Sequence, residues 1–267
     1  MIAIPIVVVL LLFLYLFMVA PKKNSKMERF KTVLYAHRGL HNDTRAENSM
    51  SAFRAAVEAG YGIELDVRLS SDGKIVIFHD DTLDRVCGIE GRVLDFTADE
   101  LAGFKLCGTD DGIPLFSDFL ALVDGRVPLL VEIKENAGDS SVSKAVCEML
   151  KDYKGEYIIE SFNPMSLRVV KHMLPDIPRG ILSHRYYEYE KYRKPLFFFL
   201  QALMLNFVCR PAFIAYDHRH ASAFGLRLVH KLFRVPIIAW TVCSAEDEAI
   251  ARKNGFEGII FEKYIPQ

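Results

Sequence analysis

Eight short runs of apolar, largely β-branched residues recur along the chain, and each run stops at a polar cluster. The runs are residues 33–36, 62–67, 129–133, 157–159, 180–182, 213–216, 237–242 and 258–261. Helix signals separate several of them, and strands that alternate with helices form a parallel sheet with right-handed crossovers. Eight such units close into a barrel, so the sequence predicts a TIM-type (β/α)8 barrel of the α/β class.

One helix signal follows the first run directly. Met50, Phe53 and Val57 are spaced to lie on one face of a helix, and Gly60 is a typical helix stop. We expect Asn48 to cap the start of this helix, because its side chain can accept a hydrogen bond from a free backbone N–H group.

A ninth apolar run, residues 75–78, lies too close to the second run for a parallel return. Only a short turn around Asp72-Gly73 separates the two runs, whereas a parallel connection needs a dozen or more residues. We therefore expect a β-hairpin after the second strand, with residue 79 opposite residue 66. This pairing would place His79 beside Asp66.

The first 20 residues carry no charged side chain, which matches the length of a transmembrane helix. Basic residues follow at Lys22, Lys23, Lys26, Arg29 and Lys31. By the positive-inside rule we expect a single-pass cell-membrane protein with a cytoplasmic catalytic domain. The expected parts are an anchor over 1–20, a basic juxtamembrane linker over 21–32 and a barrel domain over 33–267. The alternative is an uncleaved export signal that holds the domain outside the cell.

Charge and cysteine content argue against two other classes of protein. The 33 basic and 34 acidic residues give a net charge of -1, which is not typical of a nucleic-acid binder that works by bulk positive charge. The five cysteines are far apart and show no CxxC spacing. We therefore expect reduced thiols rather than a disulfide framework or a zinc knuckle.

Carboxylates on two predicted strands form a candidate metal site. Glu64 and Asp66 are two residues apart, so both side chains leave the same face of one strand, and Glu132 lies near the end of another. Buried carboxylates side by side are costly unless a cation neutralises them. Hard oxygen ligands favour Mg²⁺ or Ca²⁺, and we expect one such divalent cation.

Two histidines and two basic side chains lie at or near the ends of predicted strands. His37 ends the first strand, His79 ends the hairpin arm, and imidazoles have pKa values suited to general acid and base catalysis. Arg38 offers a fork of donors that matches a phosphate. Lys134 lies two residues after Glu132, on the same face.

The polar motifs occur in a fixed order along the chain. They are His37-Arg38-Gly39, Glu47-Asn48-Ser49, Glu64-Leu65-Asp66-Val67, His79-Asp80, Thr82-Leu83-Asp84-Arg85, Glu132-Ile133-Lys134, Ser161-Phe162-Asn163 and Trp240-Thr241-Val242. Together they resemble the glycerophosphodiester phosphodiesterase family, within the PLC-like phosphodiesterase superfamily. The resemblance covers roughly residues 33 to 266.

This resemblance implies a barrel enzyme, a phosphoric diester hydrolase of lipid and glycerol metabolism, with its site at the C-terminal ends of the strands. It implies hydrolysis of glycerophosphodiesters to glycerol 3-phosphate and an alcohol, and a small insertion over 82–113 that caps the site. The implied roles are metal ligation by Glu64, Asp66 and Glu132, acid/base catalysis by His37 and His79, and phosphate binding by Arg38 and Lys134. The sequence leaves open the choice of Mg²⁺ or Ca²⁺, and attack by water or by the substrate's own hydroxyl.

Further residues are expected around the pocket. Trp240 resembles a wall for a glycerol or choline-like group, with core filling as the competing interpretation. The candidate pocket-rim residues are Glu47, Phe162, Asp217 and His218. The sequence departs from the family pattern at Cys243 and over residues 261–266, and we expect neither departure to touch the metal or acid/base groups.

Two alternatives remain open for the function. The apolar stretch 196–209 is too short for a comfortable membrane span and fits either a buried helix or an interfacial one. If it is interfacial, a lysophospholipase D type activity on lysophospholipids becomes the alternative. The other alternative is a catalytically silent, membrane-anchored binding module. The expected partners are a phosphodiester substrate and the lipid bilayer, with no nucleic acid.

Overall fold

The predicted barrel is present in the computed structural model, which describes residues 3–136 and 138–266. The strands within those residues are β1 (Leu34–Ala36), β2 (Gly62–Leu69), β3 (Ile75–Ile77), β4 (Leu129–Ile133), β5 (Tyr157–Ser161), β6 (Arg179–Ser183), β7 (Phe213–Asp217), β8 (Ile237–Val242) and β9 (Gly258–Phe261). All except β3 run parallel to their neighbours, and β1 pairs with both β2 and β9, which closes the ring. Over the described residues, the eight-stranded parallel barrel is therefore confirmed.

Helices cover the outside of this barrel. In the same two stretches of chain they are α1 (Ala3–Val19), α2 (Met27–Phe30), α3 (Met50–Ala59), α4 (Asp84–Cys87), α5 (Ala98–Ala102), α6 (Phe116–Val123), α7 (Ser141–Lys151), α8 (Pro164–Met173), α9 (Pro195–Gln201), α10 (Asn206–Cys209), α11 (Phe224–Phe233) and α12 (Ala245–Lys253). The larger apolar core lies between the strands and these helices. Phe53 of α3, Phe119 of α6 and Leu167 of α8 are fully buried in it.

The inside of the barrel is apolar at one end and polar at the other. Its apolar residues include Tyr35, Leu130, Ile158, Phe213 and Ile238. Gly180 makes room for this packing, since a Cβ atom there would lie 2.1 Å from the ring of Phe213. Side chains alternate along a strand, so the residues two positions beyond Leu130 and Ile158, Glu132 and Glu160, face the same interior. The polar site thus rests on an apolar floor.

The β2–β3 hairpin forms as an antiparallel pair, but its register differs by one residue from the predicted one. Val67 pairs with Ile77, and the Phe78 N–H donates to the Asp66 carbonyl at 2.9 Å. The loop contains three residues rather than two, because the pair that closes it is Ser70 with Lys74. Residue 78, rather than His79, is therefore opposite residue 66.

The cap of α3 also differs from the prediction by one residue. Ser49, not Asn48, is the cap, and its side chain accepts from the Ala52 N–H at 3.2 Å. Asn48 instead adopts a left-handed backbone with φ of 54° and donates from its side chain to Asp66 at 2.9 Å. The residue predicted to start the helix therefore supports the polar end of the barrel. Gly60 ends the helix, as expected.

The N-terminal prediction needs correction. The anchor was expected over residues 1–20; residues 1 and 2 lie outside the described chain, and α1 has 17 residues. At about 1.5 Å per residue this helix is roughly 26 Å long, short of a hydrocarbon core of about 30 Å. Across residues 3–136 and 138–266, no helix is both long and apolar enough to span a membrane.

The C-terminal end of α1 is tied to the barrel's outer layer by polar contacts. Arg210 donates to the carbonyls of Phe17 at 2.9 Å and Ala20 at 3.0 Å, and Asn206 donates to Val19 at 3.0 Å. These donors satisfy carbonyls that a helix end leaves without partners. The expected linker is also partly folded, because Met27 of α2 packs against the apolar residues inside the barrel.

The apolar stretch 196–209 divides into two short helices with different environments. In α9, the side chains of Leu196, Phe198 and Phe199 are exposed. In α10, Asn206 and Cys209 are buried. The two alternatives left open by the sequence therefore apply to different halves of the stretch.

Residues 82–113 pack on one side of the barrel around a small apolar core of their own. This core includes Leu83, Val86, Leu101, Leu106 and Ile113, together with Val76 and Phe78 of the hairpin arm. The short helices α4 and α5 lie in this segment.

All five cysteines, each within the described residues, carry free thiols.

Candidate active site

A half-open cavity of about 90 Å³ lies at the polar end of the barrel. Its lining residues come from the C-terminal ends of the strands and the loops that follow them: His37, Arg38, Glu64, His79, Glu132, Lys134, Glu160, Phe162, Leu182, Trp240, Thr241 and Ile260. Eight of the predicted site residues are in this set. In barrels of this type the catalytic groups lie at this end, so the position fits an active site.

Three buried glutamates converge on one side of the cavity. One carboxylate oxygen from each of Glu64, Glu132 and Glu160 lies within 4.8 Å of the other two. The side chains come together because β4 lies between β2 and β5, and Glu132 is in register with Glu160. All three are almost fully buried, with Glu160 only 1% exposed. We refer to these three residues as the glutamate cluster.

Ionisation of this cluster is unfavourable without a cation. Burial, and then the charge of neighbouring carboxylates, raises the pKa of Glu64 and Glu160 well above the usual range. Burial likewise raises the pKa of Glu132 to about 7, although Lys134 opposes this shift. Among the described residues, Oε2 of Glu160 has no hydrogen-bond partner. Convergent carboxylate oxygens with an open acceptor fit a hard divalent cation.

Asp66 has a different environment from the cluster. Its carboxylate lies 3.1 Å from Nζ of Lys134 and 3.4 Å from Nε of Arg38, and it accepts the hydrogen bond from Asn48. Burial opposes ionisation of Asp66, but Lys134 and Arg38 hold its pKa well below the usual range. The structure thus brings Glu64 and Glu132 together as predicted, adds Glu160, and places Asp66 against the two cations.

Glu160 is the residue that sequence reasoning missed. It ends the run Ile158-Ile159 just as Glu132 ends the run before it, and the parallel register sets the two glutamates side by side. The signal was therefore present in the sequence. To recognise Glu160 as a neighbour of Glu132, however, one must know the register of β4 and β5, which the apolar pattern alone does not give.

His37 borders the cluster and has a carboxylate behind it. Its Nε2 lies 4.0 Å from Glu64, while Nδ1 is 2.6 Å from Oε2 of Glu262. Hydrogen bonding to His37 holds the pKa of Glu262 far below its usual range, and burial lowers the pKa of His37. We expected the change over residues 261–266 to leave the acid/base groups untouched. That expectation is wrong, because Glu262 contacts His37 directly.

His79 lies on the cavity in a similar pairing. Its Nδ1 is 2.6 Å from Oδ1 of Asp80, and Oδ2 of Asp80 accepts from Nε of Arg85 at 2.5 Å. Burial lowers the pKa of His79 to about 4, so its ring is neutral at pH 7. With Nδ1 of each histidine engaged by a carboxylate, Nε2 is the nitrogen that each can offer to a ligand.

The two cations of the cavity are fixed by acidic partners. Lys134 is 2.7 Å from Glu132 and also contacts Asp66. Arg38 donates to Glu47 at 2.7 Å from its side chain and to Glu64 at 2.9 Å from its backbone. Both cations therefore face the cavity in one defined position. Glu47, predicted at the pocket rim, acts behind Arg38 rather than in the cavity wall.

Of the other predicted pocket residues, two line the cavity and two do not. Trp240 and Phe162 form one wall with their rings edge to face, 5.6 Å between centroids. Asp217 and His218 are buried and are not among its lining residues, although Asp217 is the register partner of Trp240. Asp217 binds Arg219 at 2.6 Å and caps the turn that follows β7, and the assignment of both residues to the rim stays a prediction.

A family model decides the relationship of this chain to known proteins. The model of the glycerophosphoryl diester phosphodiesterase family matches residues 37–264. The chain belongs to this family. The match includes the histidines, the glutamate cluster, Arg38 and Lys134, and it confirms the resemblance found in the sequence motifs.

Individual relatives agree with this assignment. The chain is 38% identical over 171 residues to a glycerophosphodiester phosphodiesterase of Caldanaerobacter subterraneus subsp. tengcongensis, covering 57% of this chain and 67% of that one. A lysophospholipase D of Rattus norvegicus is 31% identical over 51% of this chain and 46% of its own length. The crystal structure of a Thermotoga maritima glycerophosphodiester phosphodiesterase superposes with a TM-score of 0.67 at 28% identity, over 86% of this chain and 94% of that one.

Proposed function

We propose that this protein hydrolyses glycerophosphodiesters to glycerol 3-phosphate and an alcohol, in lipid and glycerol metabolism. One observation carries the proposal: two imidazoles, two buried cations and a cluster of three buried glutamates line a single cavity. The cations can bind the anionic phosphate, and the imidazoles can move the two protons that the reaction requires. The volume of about 90 Å³ admits a small polar group.

The glutamate cluster would hold the divalent cation of the reaction. Glu64, Glu132 and Glu160 offer oxygen ligands, and their raised pKa values reflect burial first and repulsion between carboxylates second, both of which a bound cation offsets. When bound, the cation supplies Lewis-acid stabilisation of charge on the phosphate oxygens. Asp66, which the family resemblance assigned to the metal, positions Lys134 and Arg38 in this arrangement.

The remaining groups divide the work between phosphate binding and proton transfer. Arg38 and Lys134 neutralise and orient the phosphodiester. We assign the general base to His79, because its neutral ring can accept the proton of the attacking hydroxyl at Nε2. We assign the general acid to His37, since Glu262 at 2.6 Å stabilises its protonated form until the proton passes to the leaving oxygen. Asp80 stabilises the protonated form of His79 less than Glu262 stabilises that of His37, because Asp80 also neutralises Arg85.

Metal-dependent release of glycerol 3-phosphate is the test of this function. Purified protein treated with EDTA is assayed on glycerophosphocholine before and after addition of Mg²⁺ or Ca²⁺. We expect negligible release without metal and recovery with one of the two cations. Full activity in EDTA would refute metal dependence. Binding of the diester without hydrolysis under every condition would instead favour the silent binding module.

The aromatic wall of the cavity favours a second candidate, hydrolysis of lysophospholipids by a lysophospholipase D type reaction. Phe162 and Trp240 present apolar surface beside the phosphate-binding groups. The rat relative named for this activity matches only about half of the chain. Rates on glycerophosphocholine and on lysophosphatidylcholine, compared at equal concentration, separate the two substrate classes.

The cytoplasmic position of the catalytic domain is part of the proposal. The five free thiols support it. Cys107 and Cys243 are exposed and can report the location. In intact cells, a membrane-impermeant thiol reagent should leave both unlabelled, whereas labelling without lysis would place the domain outside.

A further inference from the structure

Aromatic side chains continue from the cavity wall towards the protein surface. Beyond Phe162 and Trp240 lies His184, whose ring centroid is 6.0 Å from the first and 6.1 Å from the second. Tyr186 is 4.1 Å and Tyr192 is 6.1 Å from His184. These distances are within the contact range of aromatic pairs.

The series ends on the helix α9. Phe197 lies 5.3 Å from Tyr186 and 4.7 Å from Tyr192, measured between ring centroids. We define the aromatic track as Phe162, Trp240, His184, Tyr186, Tyr192 and Phe197. Only Tyr186 of the six is fully buried, while the other five are partly exposed. The track is therefore partly accessible on both sides of Tyr186 and is not wholly enclosed in the core.

The outer end of the track meets an apolar patch. Next to Phe197, the side chains of Leu196, Phe198 and Phe199 are 56%, 50% and 37% exposed. Contiguous exposed apolar groups of this kind mark binding surfaces. A series of neighbouring aromatic rings, most of them partly exposed, therefore connects this patch with the residues that flank the phosphate-binding groups.

The cavity is too small to enclose a large ligand, so part of such a ligand must lie outside it. At about 90 Å³ the cavity is much smaller than pockets that enclose whole ligands, which measure roughly 300 to 1,000 Å³. The phosphate group can occupy it, but a fatty acyl chain attached through the glycerol must leave along the rim. The track is apolar surface that begins at the rim, beside Trp240.

We propose that the aromatic track binds the acyl chain of a lysophospholipid whose phosphodiester occupies the cavity. This inference rests on the proposed phosphodiesterase function and specifies its substrate class. Each methylene laid on the track leaves water, so affinity should rise with chain length until the chain reaches Phe197. Substitutions at the outer end should affect lipid substrates and leave water-soluble diesters unaffected.

Fluorescence of Trp240 tests the binding step without turnover. Trp240 is the only tryptophan of the chain and lies at the inner end of the track. The probe is a non-hydrolysable phosphonate analogue of octanoyl-lysophosphatidylcholine, brominated on the acyl chain and used below its micellar concentration. We expect saturable quenching, with a Kd at least tenfold higher in Phe197→Ala and in Tyr192→Ala. Tyr192→Phe keeps the ring and should match the unmodified protein.

A matched control separates the track from general surface hydrophobicity. Leu232 of α11 is 53% exposed and is not part of the track, so Leu232→Ala should leave the Kd unchanged. Absence of quenching, or equal Kd values in all variants, would overturn the proposal. An octyl maltoside brominated on its alkyl chain that quenched as tightly as the brominated lysolipid would overturn it too, because the phosphodiester would then contribute nothing.

The rate on a series of acyl chains completes the test. From four to eight carbons, kcat/KM should rise about threefold per methylene in the unmodified protein. In Phe197→Ala the rise should be lost over the outer carbons, while turnover of glycerophosphocholine stays unchanged. If kcat/KM does not change with chain length and glycerophosphocholine turnover is normal, only the acyl-chain proposal is refuted. If quenching is saturable but no diester is turned over, the hydrolase proposal is refuted instead.

Discussion

Asp66 and Glu160 are carboxylates on neighbouring parts of one barrel interior, each only 1% exposed, yet their environments are opposite. Asp66 has Lys134, Arg38 and Asn48 around it, and its pKa is lowered. Glu160 faces two other glutamates, has an acceptor oxygen without a partner in the described chain, and its pKa is raised. Each carboxylate has one oxygen without a hydrogen-bond partner in the described chain, but only Asp66 has cationic side chains beside it. A buried carboxylate that lacks a neighbouring cation is therefore a better guide to a ligand site than one that is ion-paired.

Removal of the ligands should give the largest effect. Glu64→Gln or Glu160→Gln should lower kcat/KM on glycerophosphocholine about a thousandfold and weaken cation binding, because each takes one charged oxygen from the cluster. Activity assays and calorimetric titration with Mg²⁺ or Ca²⁺ measure the two effects. Glu156→Gln is the matched control, since Glu156 is a half-exposed carboxylate bound to Arg29. Unchanged cation affinity in Glu160→Gln would show that Glu160 is not a ligand of the cation and does not differ from Asp66 in this respect.

Substitution of either histidine should lower kcat by a comparable factor. The two variants should, however, respond differently to a change of leaving group. His37→Ala and His79→Ala should each reduce kcat on glycerophosphocholine by roughly a hundredfold to ten-thousandfold. A p-nitrophenyl ester of glycerol phosphate needs no acid, because its leaving group is already a weak base. This substrate should restore His37→Ala and not His79→Ala. Restoration of the other variant would reverse the assignment of base and acid.

Stability of the metal-free protein should move in opposite directions at the two carboxylates. Asp66→Asn should lower the free energy of unfolding by about 3 kcal/mol, because it removes a partner from buried Lys134 and Arg38. Glu160→Gln should cause no loss, since it removes a source of repulsion from the glutamate cluster. Urea unfolding in EDTA provides the comparison. Equal destabilisation by both substitutions would show that the two environments do not differ.

The smallest expected effect is on acid stability. Burial opposes ionisation of Glu47, but Arg85 and Arg38 lower its pKa below the unfolded value of about 4.3. The stabilisation is therefore present above pH 4.3 and is lost as the pH falls through the lower pKa of the folded protein. Glu47→Gln should flatten the fall in stability between about pH 5 and pH 3 by about 1 kcal/mol. An unaltered pH profile would contradict the pairing with Arg38.

The sequence predicted the barrel well because its signals are local. Each strand is an apolar run that stops at a polar cluster, and this pattern needs no knowledge of neighbouring strands. The same reasoning missed one residue of register in the β2–β3 hairpin, because the Ser70–Lys74 closing pair depends on the turn geometry. It also chose Asn48 over Ser49 as the cap of α3, since both side chains can cap and only the fold directs Asn48 to Asp66.

The sequence located residues of the cavity that lie at strand ends, and it missed contacts between distant segments. Glu64, Glu132, His37 and His79 were identified from strand ends, and the structure places all four on one cavity. The contact of Glu262 with His37 joins positions 225 residues apart, so no local pattern reports it. Glu160 required the register of β4 with β5.

Diffraction from crystals soaked in Mn²⁺, with the anomalous signal recorded, identifies the carboxylates that bind the cation. We expect one strong anomalous peak per chain, bound by carboxylate oxygens of Glu64, Glu132 and Glu160. Asp66 should remain on Lys134 and Arg38 in the same crystals. A peak ligated by Asp66 and distant from Glu160, or no peak in the cavity, would refute the assignment of the metal site to the glutamate cluster.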